Sequence, residues 1–317
     1  MTHYRHRLRP LSHSMGWLPL WARIASVGPG TLNAVVHTPP IARVVKRAGG
    51  IDPRRELPRF AEQRFTDWFR ARARGRPATE RGAVLVWPDT FTNNFRPEAG
   101  RAAVRVLEAA GFTVAVPPVL CCGLTWISTG QLGVARRVLR RTARALAAML
   151  RAGTPMVGLE PSCTAVLRAD APELLPGDDD VRRLGEQTYS LAEFLLDRAP
   201  GALSAPPPGT GRKAIAQPHC HQHAIWGFDA DRELLGRAGV EADVLDAGCC
   251  GLAGNFGFER GHYEVSAGCA ELGLWPAVRA ADPDTAILAD GFSCRTQIAA
   301  GTRARPMHLA ELLAELI

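Results

Sequence analysis

Blocks of apolar and polar positions predict a repeated β-α-β order from about residue 81 onward. The run GAVLVW at 82–87 is short and almost wholly apolar, as expected of a buried strand. Pro97 opens a helix that reaches Ala110, and Gly111 closes it. Proline suits a first helical turn, and glycine suits the residue just past the last one. FTVAVP predicts a second strand, which delivers Cys121 and Cys122. A long helix is expected over about 131–152, then a third strand, TPMVGL (154–159), ending at EPSC. The same order then returns. KAIAQ (213–217) predicts a strand ending at PHCHQH, a helix covers about 230–238, and EADVLD predicts a strand leading into AGCCG. One long helix is expected over about 259–280, and TAILAD (285–290) predicts a strand ending at GFSC.

The cysteines follow this repetition. Cys121 and Cys249 are 128 residues apart, Cys163 and Cys294 are 131 apart, and Thr90 precedes Cys220 by 130. Each set falls just after predicted strands. In open parallel sheets, ligands bind at the carboxyl ends of the strands, so three loops should converge on one site in each half. The expected fold class is α/β: two duplicated, Rossmann-like, doubly wound subdomains behind an N-terminal helical arm. The expected boundaries are 1–80 for the arm, 81–203 for the first subdomain and 204–317 for the second. The Pro- and Gly-rich stretch GALSAPPPGTGR (201–212) is the expected linker. The arm reads as short apolar helical stretches cut by Pro and Gly, with Trp17, Leu18, Leu20 and Trp21 clustered around Pro19. Such a segment packs onto the main body or lies at a partner or membrane surface.

Composition adds little to the fold but narrows the chemistry. The chain of 317 residues is 46% hydrophobic and 22% charged, with a formal charge of +7 and a pI near 9.3. Arginine supplies nearly all the positive charge, since Lys46 and Lys213 are the only lysines. Much of the excess precedes residue 80, in HYRHRLRP and FRARARGRPATERG. No basic-aromatic recognition motif accompanies it, so nucleic acid is not an expected partner. No run reaches the ~18 apolar residues of a membrane span, and no signal peptide is recognisable. A cytoplasmic location is expected, or a peripheral one at the inner face of the membrane. In the cytoplasm eight cysteines stay reduced and read as ligands or redox thiols.

The second half offers four thiols, Cys220, Cys249, Cys250 and Cys294, the normal ligand count of a [4Fe–4S] cluster. Tetrahedral zinc also takes four thiolates, though it favours Cys-x-x-Cys knuckles. Gly251 lets the backbone approach a cofactor closely. His219 and His221 flank Cys220 and are expected to support it by hydrogen bonding. The first half offers Cys121, Cys122 and Cys163, with Glu160 three residues before the last. These four could hold a second cluster with a labile iron, serve as a thiol site, or have lost metal altogether. Cys269 falls on a predicted helix and reads as a buried structural cysteine.

The CCG motifs together with EPSC, HCHQ and GFSC resemble the cysteine-rich CCG domain over about residues 82–300. That domain occurs in heterodisulfide reductase, in iron–sulfur subunits of glycolate oxidase and anaerobic glycerol-3-phosphate dehydrogenase, and in lactate-utilisation proteins. DTFTNNFRPEAG, LDAGCCGLAGNFGFERGHYEVS and ADGFSCRTQI are similar to the carboxyl-terminal region of FAD-linked D-lactate or glycolate dehydrogenases. The resemblance implies an iron–sulfur electron-transfer subunit or fragment of a flavin-linked 2-hydroxy-acid dehydrogenase, not catalytically complete alone. It implies a [4Fe–4S] cluster at Cys220, Cys249, Cys250 and Cys294. FAD would sit in a partner flavoprotein or a missing N-terminal part, a ferredoxin-like chain or domain would join it, and quinone or another acceptor would take the electrons. Two alternatives stay open. One is a heterodisulfide-type thiol–disulfide catalyst using the vicinal cysteines; the other is a zinc-stabilised scaffold.

Overall fold

A computed structural model describes residues 14–72, 81–202 and 211–317. The apolar runs become two parallel sheets. In the first, β1 (Ala83–Val86) lies between β2 (Thr113–Ala115) and β3 (Met156–Val157), and β4 (Thr188–Tyr189) extends the β3 edge. In the second, β5 (Arg212–Ala216) lies between β6 (Val240–Val244) and β7 (Ala286–Leu288). Met307 makes a parallel bridge to Leu288 on the β7 edge, where β4 sits in the first sheet. Every strand pairing within the two sheets is parallel, so helices must cover both faces, and the central strand β1 is correspondingly apolar. Val84, Leu85 and Val86 are at most 1% exposed.

The helices fill three apolar layers. On the outer face of the first sheet, Leu132–Arg151 turns Ala135, Leu139, Thr142, Leu146 and Leu150 inward at helical spacing, against Leu85, Trp87 and Met156. Each fully buried leucine contributes roughly 1.5–3 kcal/mol of transfer free energy. On the outer face of the second sheet, Leu274, Trp275 and Ile298 pack on Ile287. The middle layer is shared by both sheets, joining Val84, Val86 and Leu107 to Ala214, Leu234 and Leu313. There Pro97–Ala109, which follows β1, packs against Leu309–Glu315 from the end of the chain. Leu191–Arg198, which follows β4, packs against Asp229–Arg237, which follows β5. The two halves thus exchange helix contacts across one core.

The expected strands and helices lie where the pattern places them, with one correction. The single helix expected over 259–280 is two helices, Tyr263–Glu271 and Leu274–Ala280, preceded by a 3₁₀ turn at Phe256–Phe258. Pro276 has no N–H for a bond back to Leu272, and its ring would crowd that carbonyl, so the helix restarts. Gly273 fills the break, where a Cβ would stand 3.0 Å from the Ala247 side chain.

In the arm, the helices Leu18–Ala25, Pro29–Val36 and Pro39–Gly49 each carry proline in the first turn. The described part of the arm packs on the body. Trp17 meets Trp126 edge-on at 5.6 Å, and its Nε1–H donates to Gln131 at 3.1 Å. The Asp52 N–H donates to the Phe258 carbonyl at 2.8 Å. Phe65 stacks over Gly100, where any Cβ would come within 2.7 Å of the ring. The basic stretch HYRHRLRP, the basic residues 73–80 and residues 203–210 of the expected linker lie outside the described residues.

Candidate functional site

Parallel strands deliver their carboxyl ends to one edge, and the cysteines stand there. In the second sheet, β5 leads to Cys220, the first residue of the helix Cys220–Ile225. β6 leads to Cys249 and Cys250. β7 leads to Cys294 in the first turn of Phe292–Gly301. The three loops bring all four sulfurs into a continuous series: Cys220 hydrogen-bonds Cys249, Cys249 meets Cys250, and Cys250 meets Cys294. Cys250 and Cys294 are buried, Cys249 is half-buried and Cys220 is exposed, so the series runs from the core to solvent.

Gly251 holds this turn in shape. Its φ is +84°, a left-handed conformation that side chains resist, and a Cβ would come within 2.1 Å of the Ser266 carbonyl oxygen. Its N–H points at the Cys249 sulfur at 3.4 Å. Hydrogen bonds from Cys220 and Cys250, with that N–H, hold the Cys249 thiol well below its ordinary range. The same contacts, followed by burial, push Cys220 and Cys250 up.

His219 and His221 stand on either side of Cys220. His219 is buried, and its Nδ1 accepts the His221 N–H at 3.1 Å and lies 4.0 Å from the Cys220 sulfur. The two rings stack at 5.3 Å. His219 Nδ1 or Nε2, the Cys220 sulfur and a His221 nitrogen all lie within 4.8 Å of one another, a spacing that could also hold a metal ion. Burial lowers the His219 pKa, which keeps the ring neutral. The ring occupies the space beside Gly291, where a Cβ would stand 2.1 Å from it. Cys269 is on the Tyr263–Glu271 helix as expected, but half-buried rather than buried, against the CCG turn at Gly251.

The first sheet repeats the arrangement with one thiol fewer. β1 leads to Thr90, β2 to Cys121 and Cys122, and β3 to Cys163. Cys121 meets Cys122, and Cys122 meets Cys163. The Thr90 hydroxyl hydrogen-bonds Cys121, as Cys220 does Cys249. The Gly123 N–H again points at the first sulfur of the pair, at 3.4 Å, from a residue with φ +86°. The contact with Cys122 and burial push the Cys121 thiol up. For Cys163 the bond with Cys122 favours the thiolate, but burial and the Asp89 and Glu160 carboxylates outweigh it and push the thiol up to about 12.

Glu160 stands beside these thiols, yet both its oxygens are occupied. Oε1 accepts the Ser162 hydroxyl at 2.7 Å, and Oε2 accepts the Phe292 N–H at 2.7 Å, across the boundary between the sheets. The carboxylate thereby ties the first thiol site to the helix that carries Cys294. Asp89 was not legible as a site residue. It caps the Thr90–Asn94 helix, with Oδ1 accepting from Phe91 and Thr92, and burial, then Glu160, push its carboxyl up to about 7. Arg55 was missed as well, because it arrives from the arm. It is 2% exposed and donates to the Gly257 carbonyl, Gln297 and Ser266 just behind Cys250.

Paired cysteines at parallel strand ends, each turned by a left-handed glycine, define a cysteine-rich α/β protein built on CCG turns. Residues 89–168 match the CCG cysteine-rich domain. The chain belongs to this CCG cysteine-rich family, being 30% identical over 246 residues to lactate utilization protein A of Geobacillus kaustophilus, with 73% of this chain and 98% of that protein covered. It is 26% identical over 289 residues to one subunit of the anaerobic glycerol-3-phosphate dehydrogenase of Escherichia coli, covering 90% of this chain and 72% of that relative. It is 29% identical over 331 residues to D-2-hydroxyglutarate dehydrogenase of Escherichia coli, and there spans 31% of that protein's length. Among the described residues, no helix is long and apolar enough to cross a membrane.

Proposed function

We propose that this chain is an iron–sulfur electron-transfer component of a flavin-linked dehydrogenase acting on a 2-hydroxy acid of the D-lactate or glycolate type. The observation that carries this reading is the contact series Cys220–Cys249–Cys250–Cys294 on three strand ends. Four thiols without an intervening carboxylate fit a [4Fe–4S] cluster, which would supply one-electron transfer. The Gly251 N–H, 3.4 Å from the Cys249 sulfur, would steady that ligand. His219 would orient Cys220. Relatives named as dehydrogenases or as a lactate utilization protein support the role, and their names differ in substrate. A partner flavoprotein would take electrons from the acid, a ferredoxin-like chain or domain would relay them, and a quinone or other acceptor would receive them.

The matching strand orders, matching CCG turns and exchanged helices favour two duplicated Rossmann-like subdomains, 81–203 and 204–317, behind the arm 1–80. The first site would be the weaker metal binder, because Thr90 stands where the fourth thiol would be and Glu160 is already bonded on both oxygens. Disulfide exchange by Cys121 and Cys122 is the less favoured alternative, because both thiols are pushed up and exchange needs a thiolate. Anaerobic purification with iron, sulfide and zinc analysis tests the proposal. About four iron and four sulfide per chain, with broad absorption near ~400 nm, is the expected result. Zinc without iron, or a colourless protein after reconstitution, overturns it.

A further inference from the structure

Away from the sulfurs, the arm and both halves enclose an open cleft of about 710 Å³, within the usual size of a small-molecule site. Its walls carry Lys46, Arg54, Arg55, Arg59 and Arg96 against a single carboxylate, Glu56. These cations are not equally free. Arg54 is held by Asp52 and Glu264, and Arg55 is buried on neutral partners. Lys46 donates to the Pro53 carbonyl at 2.9 Å and meets no carboxylate among the described residues. Arg59 and Arg96 are exposed, and neither side chain makes a hydrogen bond or ion pair among the described residues. Two unpaired guanidiniums from different parts of the chain, one from the arm and one from the first half, thus face the same space.

Aromatic rings line the same cleft. Phe95 and Phe292 are each 7% exposed and pack at 5.5 Å, and Phe60 meets Phe95 at 4.9 Å. Tyr263 also lines the cleft, beneath Arg54, whose guanidinium lies 4.0 Å over the ring. A neutral ring compound would leave the cations unanswered, and a bare inorganic anion would leave the aromatic rings wet. We infer that this cleft binds a small organic anion, a carboxylate or phosphate carried on an unsaturated or ring body, with Arg59 and Arg96 gripping the charge. Guanidinium forks suit both head groups because they donate two parallel hydrogen bonds. The bound molecule would lie beside the second thiol site. Phe292 stands two residues before Cys294, and Arg55 of the inner wall lies within electrostatic reach of Cys250.

Calorimetric titration of the full chain with 2-naphthoate tests this, with neutral 2-naphthamide and inorganic phosphate as comparisons. The naphthoate is expected to bind at least about tenfold more tightly than the amide, the worth of a charge-assisted hydrogen bond, and at least about tenfold more tightly than phosphate, through burial of its rings. The double variant R59A/R96A should lose the advantage over the amide while its circular dichroism stays unchanged, since neither side chain has a partner among the described residues. Equal binding of naphthoate and naphthamide, phosphate binding as tightly as naphthoate, or an R59A/R96A variant that binds as the parent does would each overturn the assignment. The readout is binding alone, so it does not depend on metal content.

Discussion

At the scale of single residues, the two CCG glycines separate conformation from packing. Gly123 and Gly251 share a left-handed φ, but only at Gly251 would a Cβ strike backbone, 2.1 Å from the Ser266 oxygen; at Gly123 the nearest atom is 3.6 Å away. Gly123→Ala should therefore cost about 1–2 kcal/mol, the strain of the backbone alone. Gly251→Ala adds overpacking and should cost about 2–5 kcal/mol. Denaturant unfolding of the two variants side by side measures the gap. Among the cysteines, Cys250→Ser should abolish bound iron and the visible spectrum, whereas Cys269→Ala should keep both; retention of full iron and sulfide in the serine variant would exclude Cys250 as a ligand. Asp89 carries a pH signature. Its folded carboxyl titrates near 7, above the ~3.9 of an unfolded chain, so it stabilises the fold fully below pH ~4 and loses that contribution as pH rises through 7. Metal-free Asp89→Asn should thus match the parent near pH 4 and exceed its stability by a few kcal/mol at pH 8, which a pH series of unfolding curves would show. The cysteines were legible because adjacency and spacing are written along the chain. Asp89 and Arg55 were not, because their importance comes from burial beside groups far away in sequence.

At the scale of elements, local patterns encode most of the helices and strands. Leu132–Arg151 follows from its apolar stripe, and Pro97–Ala109 from the proline that opens it and the Gly111 that follows. The break at Gly273 went unread because an apolar pattern continues through it, and only the missing N–H of Pro276 ends the helix. The ends of elements also carry the link between the halves. Glu160 precedes one short helix, Pro161–Ala165, and accepts the first N–H of another, Phe292–Gly301. Sequence could show Glu160 only as a neighbour of Cys163, since its partner is 132 residues away. Glu160→Ala leaves the buried Phe292 N–H and Ser162 hydroxyl without acceptors and should lower stability by about 1–3 kcal/mol. Glu160→Gln keeps a carbonyl oxygen and should recover about half of that loss. Equal stability of both variants and the parent in chemical unfolding would show that the capping bond contributes nothing.

At the scale of the whole molecule, the arrangement of the halves was the least legible feature. Pro97–Ala109 chooses Leu309–Glu315 as its neighbour, and no local pattern encodes a partner about two hundred residues away. Charge, by contrast, can be read along the whole chain. Residues 1–50 hold seven Arg and Lys and no Asp or Glu, while the rest of the chain balances 31 cations with 31 acids. The entire net charge thus belongs to the arm. The same segment exposes Leu20, Trp21, Ile24, Val27, Ile41 and Val44, with Ile24 at 56% and Val27 at 91%. Exposed apolar side chains among cations, with no acid near them in sequence, suit an anionic bilayer surface, where each Lys or Arg is worth ~1 kcal/mol. The chain should co-sediment with phosphatidylserine vesicles and not with phosphatidylcholine vesicles, and raised salt should release it within the range set by the Debye length. Ile24→Glu with Val27→Glu should weaken the association by about tenfold or more, since it removes apolar contact and adds repulsion in one step. If both vesicle types leave the chain in the supernatant, the bilayer reading of the arm fails.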